Sequence, residues 1–217
     1  MTQRNIGELR QRLPAAERRS QLLEVAIQRF AASGFHATSM DDIADAAGVT
    51  KPVLYQHFHS KRQLYRELLE TVGQELLESV ATSAAAESAP FNRVLAGFRA
   101  YFRFVRDKTA GFQLLFGSGA RRTDEFADSV RKLEETVAAT IGSFIEADIG
   151  IEHRNLLGYA IVGLAEVAGR RWVGQSQGGE AKISKAEGER LAQRLADLAW
   201  AGLRALPGGS ARENTGS

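Results

Sequence analysis

Residues 38–61 read TSMDDIADAAGVTKPVLYQHFHSK, and the order of caps, apolar positions and glycine in this stretch decides the fold. Thr38 or Ser39 can cap a short helix, with Asp41 and Asp42 in its first turn, where the helix dipole favours acids. Met40, Ile43, Ala44 and Ala47 form its inner face, and Gly48 stops it. Thr50 can cap a second short helix, and Pro52 fits a first turn because no intrahelical N–H is needed there. That helix ends near Phe58. Ser60 and Gln63 then form the S-x-x-Q capping box of a further helix. Two short helices pivoting on one glycine match the helix-turn-helix arrangement, in which the second helix enters the major groove of DNA; by periodicity alone, a solvated helix pair in an α-helical protein reads the same. The second helix buries Val49, Val53 or Leu54, and Phe58. It leaves Thr50, Lys51, Tyr55, Gln56 and His57 free, which are groups suited to phosphates and base edges. From Val49 to Arg66 the chain carries Lys51, Lys61, Arg62 and Arg66 and no acid.

Outward from this stretch the pattern stays helical. Ala15 to Ser33 carries Leu23, Ile27 and Phe30 on one face, and Gly34 follows as a C-terminal stop. The helix opened by Ser60 places Leu64, Leu68, Val72, Leu76 and Val80 on one stripe and runs to about Ala84. Thr82 to Pro90, rich in Ala and Ser, reads as a loop. Beyond it come Phe91–Val105, Ala110–Phe116, Asp124–Asp148, Glu152–Val173 and Ser184–Leu206, with breaks at Gly117–Gly119 and Gly174–Gly179. The expectation is an all-α chain: an N-terminal three-helix helix-turn-helix domain, then a larger helical domain. Its expected divisions are a basic arm at 1–13, a DNA-binding unit at 14–66, a second helical unit at 67–206, and a tail at 207–217 that is disordered by composition.

Composition narrows the function classes. The 217 residues are 44% hydrophobic and 25% charged, an ordinary globular balance. The absence of cysteine excludes disulfide scaffolds, thiolate metal sites and cysteine nucleophiles. The polar, arginine-rich start is unlike a secretory signal, and no window is long and apolar enough to span a membrane, so a cytoplasmic home is expected. His57 and His59 point differently on their helix, and His36 and His153 lie apart, so no metal site is expected. Gly117-x-Gly119 lacks the strand and the G-K-[ST] of a phosphate loop. No catalytic constellation stands out, so neither enzyme activity nor a cofactor is expected. The formal net charge is only +2, but residues 1–70 hold 10 basic and 8 acidic side chains against 18 and 18 in the remainder. The surplus therefore lies beside the helix-turn-helix, where it can find phosphates.

The wording of the stretch closely resembles the signature of the tetracycline-repressor (TetR) family of bacterial regulators. Ile43-Ala44, Ala47-Gly48-Val49, Leu54-Tyr55-Gln56-His57-Phe58 and Lys61 carry the likeness, preceded by Phe30-x-x-x-Gly34-Phe35. It covers about residues 17–66. The resemblance implies that Thr38 and Ser39 hold phosphate at the start of the first short helix. It implies that Thr50, Lys51, Tyr55, His57 and Lys61 contact the DNA backbone or line the groove. Lys51, Pro52, Val53 and Gln56 are then best placed to face bases, with Lys51 suited to guanine, Gln56 to adenine, and Pro52 and Val53 to a thymine methyl. Val53 has an alternative place in the small core.

The resemblance further implies a small-molecule effector among the later helices. Tyr101, Phe102, Phe112 and Phe116 could line its pocket, with Leu115, Leu133, Val137 and Leu164 around them; the bland alternative is a packed core. It also implies a homodimer through about residues 152–173 and 184–206, bound to a near-palindromic double-stranded operator and, in most such regulators, repressing it. Leu157, Ala160, Ile161, Leu164, Ala165 and Ala168 form one stripe there; Leu191, Leu195, Leu198, Ala199 and Leu203 form the other. Close helix approach would account for Gly158, Gly163 and Gly169. Two rival readings remain: a DNA-binding regulator without an effector, and a helical ligand-binding protein or enzyme whose N-terminal helices are structural.

Overall fold

The computed structural model describes residues 14–117, 124–177 and 184–207. The basic arm, the Gly119 break, Arg121–Arg122 and the C-terminal tail lie outside them. The described residues form nine α-helices and no strand: α1 (Ala15–Ala37), α2 (Met40–Ala46), α3 (Lys51–His57), α4 (Lys61–Ala85), α5 (Pro90–Asp107), α6 (Thr109–Phe116), α7 (Asp124–Ser143), α8 (Ile151–Gln177) and α9 (Lys185–Leu203). The chain is all-α, with the helix-turn-helix at its N-terminal end, as the periodicity predicts.

Local chemistry sets the boundaries. Ser39 caps α2: its hydroxyl accepts from Asp42 N, and the Asp42 carboxylate accepts from Ser39 N, a reciprocal capping box. The Ser60 hydroxyl likewise accepts from Gln63 N at the start of α4. Gly48 joins α2 to α3 at φ 65°, a left-handed conformation that a Cβ disfavours. Gly34, at φ 79°, interrupts α1 rather than ending it, and one more turn follows to Ala37. α4 ends at Ala85, beside the expected end near Ala84, and takes the start of the Ala/Ser-rich run into the helix because alanine favours it. Two further ends differ from expectation. α7 stops at Ser143, where turns through Gly150 replace the expected continuation to Asp148. α8 runs on through Gly174 to Gln177.

The small core of the first domain is Leu22, Ala26 and Phe30 from α1, Met40, Ile43 and Ala44 from α2, Leu54 from α3, then Phe58 and Leu64. α4 belongs to both halves. Its first turns close this core, and its later turns pack on α5 and α7. α1 also rests on α6. An aromatic cluster seals the junction. The Phe126 ring on α7 lies 4.8 Å from Phe35 and 4.6 Å from Tyr65, and Tyr65 meets Phe30 edge-on at 4.9 Å. In the second domain α9 lies along α5, and α7 lies along α8. Two glycines set the α7–α8 spacing: a Cβ at Gly158 would sit 2.1 Å from the Ala138 carbonyl oxygen, and one at Gly142 would sit 2.9 Å from that of Arg154. Gly158 therefore serves contact within the chain, and so does Gly169, whose face is filled by Tyr101 and Phe112.

Candidate functional site

α3 is anchored by Leu54 and by Phe58 just beyond its end, both fully buried. With those two side chains fixed inward, the helical period turns Thr50, Lys51, Pro52, Tyr55 and Gln56 outward, and all five are exposed. Val53 and His57 are half-buried at the edges of this face. Thr50 occupies the cap position of α3, but its hydroxyl makes no capping bond. Lys51 leans back to α2, its ammonium 2.9 Å from Asp41 Oδ1 and 3.0 Å from Oδ2. That carboxylate raises the lysine pKa. Both groups are open to solvent, and exposed pairs of this kind hold weakly enough to exchange for another anion.

Two expected phosphate ligands are placed differently. Thr38 is buried, and its hydroxyl donates to the carbonyl oxygens of Gly34 at 2.8 Å and Arg29 at 3.3 Å, so it closes the α1–α2 turn. Lys61 turns inward. Its Nζ donates to the carbonyl oxygens of Phe35 at 2.8 Å and Thr38 at 2.9 Å, and it lies 4.4 Å above the Phe35 ring. The end of α1 leaves its last carbonyls without helical partners, and a cation at the start of α4 satisfies them. Lys61 therefore positions the helix-turn-helix against α4. Ser39 remains exposed, but its oxygen is committed to the capping box. Sequence reasoning missed Arg19, which lies 4.9 Å over the Phe58 ring and 2.5 Å from Glu67, tying α1 to the far end of α3.

The second domain holds a mostly apolar cavity of about 150 Å³ between α4, α5, α6, α7, α8 and α9. Along α4 it runs from Gly73 through Leu76 and Val80 to Ala84. Of the eight expected lining residues, Tyr101, Leu115, Phe116, Leu133 and Val137 border it. Phe102, Phe112 and Leu164 do not. Phe102 packs edge-on against Trp172, and Phe112 wedges between Tyr101 and Phe116, so both belong to the dry core. Leu164 is half-exposed on another side of α8. Sequence reasoning missed Val94 and Gly97 on α5, Val130 and Ile141 on α7, and Trp200 and Leu203 on α9. No periodic signal separates a wall from a core, since both are apolar on the inner face. Four charged residues border it, Arg93, Glu134, Glu146 and Arg204, with Arg93 paired to Glu146 and donating to the Glu87 carbonyl oxygen at 2.9 Å. Among the described residues there is no group of three or more His, Asp or Glu side chains suited to a metal ion. None of the described helices is long and apolar enough to cross a membrane.

One face of α8 stays uncovered. Leu156, Tyr159 and Val167 are 64%, 42% and 59% exposed, and Leu198 on α9 is 59% exposed. A Cβ at Gly163 would meet nothing within 4 Å. This face is offset from the expected stripe, because Ala165 is buried and Ile161 and Ala168 pack on the core of the same chain. On α9, Ala199 is likewise buried, and Leu191 and Leu195 pack on that core.

Comparison with known proteins agrees with this geometry. Residues 22–68 match the family described as bacterial regulatory proteins, tetR family. The chain is 33% identical over 198 residues to the HTH-type transcriptional activator FasR of Mycolicibacterium smegmatis, covering 90% of this chain and 87% of that protein. A TetR-like transcriptional regulator from Rhodococcus sp. RHA1 superposes with a TM-score of 0.71 at 28% identity, over 88% of this chain and 98% of that one. The fold is also that of the transcriptional regulator FadR from Bacillus subtilis, solved in complex with stearoyl-CoA: TM-score 0.69, 15% identity, 84% of this chain and 98% of that one.

Proposed function

The chain belongs to the TetR family of bacterial transcriptional regulators, and from that premise we propose that it is a cytoplasmic homodimer that binds a near-palindromic operator through α3 and leaves it when a small apolar effector fills the cavity. The observation that carries the reading is the division of α3. Leu54, with Phe58 beyond it, is locked into the core, while Thr50, Lys51, Pro52, Tyr55 and Gln56 face outward together. Lys51 and Gln56 supply the hydrogen-bonding groups that read guanine and adenine in the major groove. In this reading Thr50 and Tyr55 contact phosphates, and Pro52 and Val53 a thymine methyl. His57 sits at the edge of this face.

Two observations support the effector. The cavity walls are mostly apolar, so burying an apolar guest against them is favourable. Its wall also includes α4, which continues into the DNA-binding domain. A guest favouring a different tilt of α4 changes the separation of the two α3 helices in a dimer and shifts the population off the operator. The exposed apolar face on α8 and α9 supports dimerisation, because such a face is costly in a monomer. The bound stearoyl-CoA of the FadR structure makes an elongated apolar chain the first class of effector to test.

Repression is the expected outcome. Activation is the second reading, favoured by the FasR relative that matches along nearly the whole chain. Selection of bound fragments from genomic DNA, followed by gel shift, tests the central claim. Retention of discrete fragments with a two-fold repeat supports it, and no retention of any fragment overturns it. Transcript levels after deletion of the gene then separate the two readings: they rise for a repressor and fall for an activator.

A further inference from the structure

The outward face of α3 carries one permanent cation, and that cation is already held. Lys51 is the only lysine or arginine of the helix. It stands at the first position of α3, ten residues beyond Asp41 of α2, and its ammonium lies 2.9 and 3.0 Å from the two oxygens of the Asp41 carboxylate. The pair ties the two helices together across the Gly48 turn. The other acids of α2 are placed differently. Asp42 turns to the start of its own helix, where it accepts from the Ser39 nitrogen at 2.8 Å and from the Ser39 hydroxyl at 2.6 Å. Asp45 is exposed one turn further along α2 and takes no part in the pair.

Both side chains of the pair are more than half exposed, so it adds little to stability. Its effect falls on what Lys51 can bind. An ammonium has three donors, and one carboxylate takes up at most two of them. A donor is therefore left for a further acceptor. The neutral N7 and O6 of guanine can take it without bringing up an opposing charge. A phosphate cannot. If it meets the ammonium where it stands, it lies against the Asp41 carboxylate, and like charges at that range repel. If it draws the ammonium away, the pair is broken and Asp41 is left facing the DNA without its partner.

We propose that Asp41 is a positioning residue for sequence specificity: by holding Lys51 it withholds the one ammonium of α3 from phosphates and directs it to a guanine edge. The inference rests on the operator reading above and narrows the part of Lys51 from groove contact in general to one base. Asp41 itself touches no base and acts through Lys51.

The test uses the full chain with a selected operator fragment, its single-position variants and a random duplex of equal length, over a range of salt concentrations. Asp41 is exposed, so Asp41→Asn should melt close to the wild type. It should bind random DNA about threefold more tightly at low salt, the size of one exposed ion pair released, with a log–log salt slope steeper by about 0.9, one phosphate contact. Operator affinity should change less, so the ratio of the two falls. Asp45→Asn removes an equal charge from the same helix and should raise both affinities alike, leaving ratio and slope unchanged. On the operator variants, Asp41→Asn should relax a guanine preference at one position of each half-site, the same position that Lys51→Gln relaxes. An Asp41→Asn protein that behaves as Asp45→Asn does, or that shares no relaxed position with Lys51→Gln, overturns the proposal and leaves the operator reading standing. A wild type that retains no discrete fragment overturns the operator reading and this one with it.

Discussion

At the scale of single residues, the helix-turn-helix divides into groups that read and groups that hold. Gln56 is exposed on the outer face of α3 and carries the donor and acceptor that match adenine. Gln56→Ala should therefore relax sequence preference at one position of each half-site, by about 1–3 kcal/mol of discrimination, read by competition between operator variants. Unchanged preference would remove Gln56 from the readout. Tyr55→Ala should instead weaken operator and random DNA alike, because a phosphate contact carries no sequence information. Lys61 belongs with the groups that hold. Its two bonds to the Phe35 and Thr38 carbonyls make Lys61→Ala a stability lesion of about 1–2 kcal/mol, measured by urea unfolding. Loss of DNA affinity with no loss of stability would return Lys61 to the phosphate contacts. The lysine's place in the stretch was legible, but the direction of its ammonium was not. A cation at a helix start reads as a phosphate ligand until the orphan carbonyls at the end of α1, 23 and 26 residues away in sequence, are seen beneath it.

At the scale of helices, existence and order follow from caps and apolar period, and the differences concern ends and spacings. The stop at Gly48 and the caps at Ser39 and Ser60 are local chemistry, so the sequence carries them. The stop of α7 at Ser143 is set by tertiary packing: Gly142 and Gly158 bring α7 and α8 together, and the chain must turn back to make that contact. Glycine in a helix signals a close approach but does not say to what. Gly158 and Gly169 approach neighbours in the same subunit, whereas Gly163 faces open space. Gly158→Ala would drive a Cβ to 2.1 Å from a backbone oxygen that cannot rotate away. It should destabilise the protein by about 1–3 kcal/mol, a melting-temperature loss of roughly 2–12 °C for a chain of this size. Since α7 and α8 both wall the cavity, the same change should weaken effector binding. The walls themselves were half legible: aromatic density located Tyr101 and Phe116, but which rings face a void and which face each other depends on helix rotation.

At the scale of the whole molecule, the uncovered face of α8 decides whether one chain suffices. A single α3 touches too few base pairs to select an operator, and a dimer would set two of them about 34–36 Å apart, or a multiple of that. Leu156, Tyr159, Gly163 and Val167 follow a helical period along this face, and Leu198 of α9 is exposed as well. The apolar period of α8 was plain in the sequence, but the helix is apolar on two sides, and only packing separates the inner side from the outer. Val167→Glu places a charge where the two copies would meet, and two-fold symmetry counts it twice. It should yield a folded monomer by sedimentation, with operator affinity reduced at least a hundredfold and weak random-DNA binding retained. Gly163→Ala gives the complementary reading. In an isolated subunit it fills open space and gains about 1 kcal/mol of helix propensity. In a dimer whose α8 helices cross at Gly163, the added methyl holds them apart, so the subunit should melt higher while the dimer dissociates more readily. A Val167→Glu protein that stays dimeric and keeps its operator affinity would move the interface off this face.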